Sequence, residues 1–346
     1  MMGQGGTPAN EVVATIGVAK DHATPEAWAT ATEEDCTSGW GAGDYSAACS
    51  PVGQIDEDAD YNTACNIGGA TTDATHYRRL TVAAAYRHEG DYPKNDVGAK
   101  QTAYVVIDED YFEMEWLLVD AGSSMSGFSS VNVTGGLNVL IRQLIADVST
   151  SGFAAYKMSP GNDQYTVVEN CIGITRRDHN SAQVFSAGYQ DDVLWRNCTG
   201  WGKGASNDEV FEYGEPTNCI GISEGSGTVF SSSEGSGDYN IGSDETAPGA
   251  NSHDNKSAAD LFADTTDTAE DLHLKAAVDG SYEGADLSAS APGFTDDIDG
   301  DTRSDWDIGA DEIAAAGVNV PVSAVSGAAG VPGTPVAVNR TVALSG

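Results

Sequence analysis

Four carboxylates alternate along one short loop: Asp297, Asp299, Asp301 and Asp305, with Gly300 among them. Hard divalent cations take oxygen ligands, so this spacing suits a calcium ion, although the loop departs from the EF-hand pattern in its early glycine and its lack of a closing Glu. A second set combines acids with bases. Asp120 and Asp147 lie 27 residues apart, Arg176, Arg177, Asp178 and His179 form one run, and Lys203 follows Arg176 by another 27. Two carboxylates beside a base are the groups that proton abstraction next to an acid requires. Asp108, Asp110, Glu113 and Glu115 supply further carboxylates of the type a glycoside hydrolase pairs, with no spacing that selects two of them.

The recurring 27 is a property of the chain. Trp116-Leu117-Leu118, Gln143-Leu144-Ile145, Asn170-Cys171-Ile172 and Asn197-Cys198-Thr199 follow one another at that step, and a step of 21 reaches Asn218-Cys219-Ile220. Met114, Ile141, Val168 and Trp195 form an apolar column in the same frame, and Val131, Met158 and Phe185 suggest another. Glu115, Arg142, Glu169 and Arg196 alternate in sign at the same step. Stacked in register, they would sit about 4.8 Å apart, the spacing of adjacent strands, where opposite charges favour the pairing. Val139 to Arg142 alternate between two faces, and Gly, Asn, Ser and Asp clusters separate such short runs. Three short strands with their turns fill one repeat, which predicts a solenoid of parallel strands.

This pattern resembles the right-handed parallel β-helix of the pectate-lyase-like superfamily. Asn170, Asn197 and Asn218 are similar to that family's asparagine ladder, and Cys171, Cys198 and Cys219 would stack beside it as small core side chains. Pro25 to Glu34, after a strand at Val12 to Val18, looks like the family's short capping helix, with Thr24 as its N-cap and Pro25 in its first turn. The run TTDATHYRRLTVAA (Thr71 to Ala84) is similar to the first coil of viral and environmental members. FTDDIDGDTRSDWDIGADE (Phe294 to Glu312) resembles the closing motif DxDGDxR followed by DIGAxE. The resemblance implies an all-β right-handed parallel β-helix solenoid with a short N-terminal capping helix and an extended C-terminal tail. It also implies a second reading of the acidic loop, in which Asp and Arg side chains close the end of the coil instead of holding an ion. The expected divisions are a cap and loop region at 1–75, the β-helix at 76–313, and a low-charge tail at 314–346. The fold hosts lyases, hydrolases, adhesins and structural proteins, so it does not choose among them.

Composition narrows the partners. With 53 acids against 16 Lys and Arg, the chain carries a net charge of −37, which repels nucleic acid and anionic lipid. No apolar run approaches the ~18 residues of a membrane span. The acid excess, the few lysines and the abundance of small residues resemble proteins of extreme halophiles. The N-terminus lacks the basic and apolar regions of a signal peptide, so exit from a cell would follow another route such as viral lysis. Cys36, Cys49 and Cys65 lie in a segment where one disulfide could form, and no CxxC pair suggests zinc. Leu140, Val167 and Leu194 stack on the outward column as an apolar ribbon, the expected contact surface of a self-associated, trimeric assembly of the kind virion β-helices form. The expectation is a virion surface protein without a cofactor other than Ca2+. Its 314–346 tail would dock on other virion proteins, and host glycans are a candidate ligand; the alternative is an extracellular polysaccharide lyase or carbohydrate-binding protein.

Overall fold

The computed structural model describes residues 9–39, 47–95, 98–121, 129–136, 138–148, 154–159, 165–176, 182–188, 192–204, 209–231, 237–275 and 282–313. The tail at 314–346 and the run Arg177 to His179 lie outside the described residues. Each turn of the chain lays down one strand on each of three sheets. Glu113–Glu115, Leu118–Asp120 and Val131–Val133 make one coil, and Val139–Arg142, Ile145–Val148 and Ala154–Met158 the next. Among the described residues the first sheet, which holds Glu113–Glu115, has eight strands, the second, which holds Val131–Val133, seven, and the third, which holds Leu118–Asp120, eight, every one paired in parallel with its equivalents in the neighbouring coils. The protein is an all-β parallel β-helix. A short antiparallel hairpin, Phe262–Asp264 with Asp271–Leu274, follows the coils.

The solenoid begins earlier than residue 76. Glu11–Ile16 pairs with Ser50–Ile55, which pairs with Arg79–Val82, so the N-terminal strands already belong to the first sheet. The helix Pro25–Ala31 follows the first strand. The Thr24 side chain accepts a hydrogen bond from the Ala27 amide at 3.1 Å, Pro25 opens the first turn, and Trp28 is fully buried.

The corner between the first and third sheets explains the most regular part of the sequence. Trp116, Gln143, Asn170, Asn197 and Asn218 all adopt left-handed backbone, with φ of 63°, 49°, 50°, 47° and 56°. Asparagine tolerates this region better than most residues. The residue after each turns inward, and Leu117, Leu144, Cys171, Cys198 and Cys219 are all fully buried. All six cysteines are free thiols. Burial pushes the Cys171 and Cys219 thiols up, which keeps them protonated as small core groups.

The second sheet departs from the 27-residue frame. Val131 pairs with Tyr156, Val133 with Met158, and Tyr156 with Phe185, so Val131, Met158 and Phe185 do not share one column. Loops of unequal length before and after these strands redistribute the residues of each coil. The true column is aromatic: Tyr156, Phe185, Phe211 and Phe230 stack with centroids 4.8, 4.8 and 5.0 Å apart and planes within 7°. Opposite them, Gly173, Gly200 and Gly221 align on the third sheet. A Cβ there would meet Val184, Val210 and Val229 at 2.5, 2.5 and 2.4 Å, so the glycines make room for that valine column.

The third sheet is buried on both faces. Ile172, Ile174, Trp201, Ile220 and Ile222 point away from the interior and pack on Leu261, Phe262, Leu272, Ile298, Ile308 and Ala310. The chain from about residue 258 to 313 therefore returns along the flank of the coils and builds a second core there. Each fully buried side chain of this size contributes about 1.5–3 kcal/mol relative to exposure.

Candidate functional site

The returning segment docks on the asparagine corner. Asn170 Nδ2 donates to Asp296 O at 2.5 Å, and Asn197 Nδ2 lies 3.2 Å from both Asp307 O and Gly309 O. Asn218 Nδ2 donates to Ala285 O at 2.8 Å while its Oδ1 accepts from the Ala285 amide at 2.8 Å. Gln143 Nε2 donates to Asp297 O at 3.2 Å. The amides bond along the axis between Asn218 and Asn197, at 3.2 Å, and otherwise serve as a seam that holds the C-terminal chain. The motif expected to close the end of the coil instead lies along its side. Arg303, buried with its guanidinium inside the seam, donates to Asn170 Oδ1 at 3.0 Å and to Gly309 O and Ala310 O at 2.9 and 2.7 Å.

This arrangement decides the acidic loop. Asp297 is 1% exposed; its Oδ1 accepts from the amides of Asp299 and Asp301, and its Oδ2 from that of Glu312. Its carboxylate is a turn-former for the seam. Asp301 and Asp305 are exposed, and neither joins Asp297 in a ligand group. Asp299 converges with different residues, His273 and Asp311, whose ligand atoms lie within 4.8 Å of one another. His273 Nδ1 is 2.6 Å from Asp271 Oδ1, and its Nε2 is 2.9 Å from Asp299 Oδ2. Burial lowers the imidazole pKa, but the hydrogen bond and charge of Asp299, with Asp311 and Asp271, outweigh it and hold the group up at about 10. His273 was not singled out from the sequence, because it lies far from any repeat and from the loop it meets.

The charge ladder occupies its register: Arg142 stands opposite Glu115 and Glu169, and Glu169 opposite Arg196. The alternation is not a uniform chain of pairs. Arg142 Nη2 is 2.9 Å from Glu169 Oε1 and its Nε 3.7 Å from Glu113, whereas Arg196 turns to Pro292 O and Ala291 O of the returning segment. Burial, with Arg142 and Arg196 only partly offsetting it and Glu113 and Asp296 adding to it, raises Glu169 to about 7. A carboxyl raised from its ordinary 4.5 contributes stability that is complete below that value and lost as pH rises through about 7. The Tm of the protein is therefore expected to fall between about pH 4.5 and 7, and Glu169→Gln to shrink that fall. Equal slopes in the two proteins, read by thermal unfolding, would remove Glu169 from the account.

The apolar ribbon is not a free surface. Leu140 and Val167 are 4% and 2% exposed within this one chain, and Leu194 is half-buried, so the side chains read as a contact face are already covered.

The acid and base set on the third sheet is brought together. Asp120 and Asp147 are neighbours in register, and Arg176 Nε donates to Asp147 Oδ2 at 3.0 Å. Arg176 also grips Glu270 of the C-terminal hairpin with both terminal nitrogens, at 2.5 and 3.0 Å. Lys203 bonds to the same carboxylate and to Asp267 Oδ1, the latter at 2.9 Å. Burial and the Asp120 charge raise Asp147 to about 7 despite Arg176. Burial also acts to raise Glu270, but hydrogen bonds from Arg176 and Lys203 prevail and bring it to about 2. Glu270 has a fully buried side chain and pairs with both bases. Among the described residues of this set, each base is already ion-paired. Glu270 itself escaped the sequence reading because 67 residues separate it from Lys203.

No helix among the described residues is long and apolar enough to cross a membrane. Compared with protein-family models, with curated proteins and with solved structures, the chain matches none, so its own residues carry the functional reading.

Proposed function

We propose that this protein is a structural surface component of a virion, as a capsid decoration, turret or tail-spike part, in which a rigid β-helix displays its loops. One observation carries the choice of a structural role over an enzymatic one: the Glu270 carboxylate pairs with both Arg176 and Lys203, so the bases an acidic polysaccharide would need are taken up by the chain itself. The two cores and the seam along the flank support a stiff rod. The net charge of −37 supports a life in strong salt, where screening relieves self-repulsion, and argues against nucleic acid and anionic membrane as partners. In this reading the rod meets other virion proteins through residues 314–346 and host glycans through its loops, and it reaches the exterior as part of a particle.

The competing reading is a polysaccharide lyase. Incubation with polyuronates is expected to give no rise in ultraviolet absorbance from new unsaturated ends, and the chain is expected at a fixed ratio to the major capsid protein in purified particles of a halophile's virus. Depolymerisation that depends on Arg176 would overturn the structural reading.

A further inference from the structure

His273, Asp299 and Asp311 come from three stretches of chain that meet beside the seam. His273 is on the hairpin strand Asp271–Leu274, Asp299 on the acidic loop and Asp311 at the end of the closing motif. His273 and Asp299 line a groove of about 620 Å³ whose wall includes Arg87, His88, Glu89 and Asp91, and Asp311 lies buried behind them.

We propose that His273 Nε2 and the carboxylates of Asp299 and Asp311 form a binding site for one divalent metal ion of the zinc class, with a water-filled position open to the groove. Four observations carry this. The ligand atoms lie within 4.8 Å of one another, a spread that a central ion at about 2.0–2.2 Å from each can draw in. Asp311 is 6% exposed, and the Leu274 amide, donating to its Oδ2 at 2.6 Å, fixes the carboxylate beside the other two groups. The Nδ1 of His273 is held by Asp271 Oδ1 at 2.6 Å, the carboxylate–histidine arrangement that fixes a ligating ring, and Nε2, now 2.9 Å from Asp299 Oδ2, would exchange that hydrogen bond and its proton for the ion. Gly90 leaves the space: a Cβ there would stand 2.4 Å from Asp299 Oδ1 and 2.6 Å from His273 Nε2, inside the site.

The donor chemistry selects the ion. One imidazole nitrogen with two carboxylates suits Zn2+ better than Ca2+, which prefers six or more oxygens. His88 is not a fourth ligand. It is 4% exposed and its Nε2 is directed to Gln143 O at 2.8 Å. The bound ion would tie the hairpin and the closing motif together beside the Gly90 turn, a junction of the kind that metal binding to the folded state stabilises.

An acidic surface gathers cations without any site, so the test separates the two. Equilibrium dialysis of the full chain against Zn2+ with a large excess of Ca2+ is expected to leave one Zn2+ per chain, with a higher Tm than after chelation. His273→Gln and Asp311→Asn are expected to weaken that Zn2+ by at least about tenfold. Gly90→Ala, which removes no ligand but fills the space and strains the left-handed turn at φ 76°, is expected to do the same, and the Tm of each metal-free variant, with far-ultraviolet circular dichroism, verifies that its fold is kept. Should a variant fail to fold, the remaining two decide. Zn2+ displaced by Ca2+, or retained equally by His273→Gln and Gly90→Ala, would overturn the site and leave only diffuse binding to surface acids.

Discussion

Replacing Arg78 by Met is expected to cost about 3–5 kcal/mol of stability, the range for removing one partner of a buried ion pair. Arg78 and Glu109 both have fully buried side chains, and Arg78 Nε donates to Glu109 Oε1 at 2.8 Å. The same guanidinium donates to Ala29 O at 2.7 Å and Thr32 Oγ1 at 3.1 Å at the end of the capping helix, and to Gly68 O at 3.0 Å. A Met keeps the volume but leaves Glu109 charged and three oxygens without their donor. Burial already pushes the Glu109 carboxyl up even with Arg78 opposing it. The double variant Arg78→Met/Glu109→Leu should recover most of the loss, since no buried charge then remains. Denaturant unfolding measures both; a loss under about 1 kcal/mol for Arg78→Met would show that the cap does not depend on this pair.

Arg303→Ala is expected to have a comparable cost with a different distribution. Arg303 is buried among Asn170 Oδ1 and the carbonyls of Asp307, Gly309 and Ala310, at 3.0, 3.2, 2.9 and 2.7 Å. Each acceptor left without a donor costs roughly 1–3 kcal/mol where water cannot reach it. The loss should concentrate in the seam: the closing motif loosens while the interior core, which Arg303 does not touch, keeps its strands. Limited proteolysis should then cut within residues 282–313 at protease levels that leave the native protein whole. Arg303→Lys should rescue little, because an ammonium cannot reproduce a planar fork directed at several carbonyls. A variant with native resistance and native midpoint would show that the asparagine corner holds the segment without Arg303.

What was legible in the sequence follows from where the repeat is strict. The corner from Trp116 to Asn218 keeps its spacing because a left-handed residue and an inward small residue are needed at each turn, and those columns read out directly. The second sheet did not, because its flanking loops vary, and the aromatic column Tyr156, Phe185, Phe211, Phe230 was hidden by a frame that placed Met158 with Phe185. The outer core had a signal that went unused. Ile172-Gly173-Ile174 and Ile220-Gly221-Ile222 place glycine inward and large apolar groups outward, a pattern that makes sense only if something covers the outer face. What covers it, together with Glu270 and His273, comes from a segment outside the repeat, and no periodicity reaches across that distance. Leu140 and Val167, read as an exposed ribbon, are 4% and 2% exposed, and alternation along a strand does not tell a covered outer face from a bare one.

The chain folds back on its own flank, pairing Glu270 with Arg176 and Lys203 and covering the outer face of the third sheet. Native-state hydrogen exchange of the Gly309 and Ala310 amides tests it most directly. Gly309 N donates to Asn218 O at 2.8 Å and Ala310 N to Thr199 Oγ1 at 2.9 Å, bonds that exist only if the closing motif lies in the seam. Protection of both amides close to that of the strand Ile220–Ser223 is the expected result. Exchange at the rate of an open loop, with that strand still protected, would contradict the account.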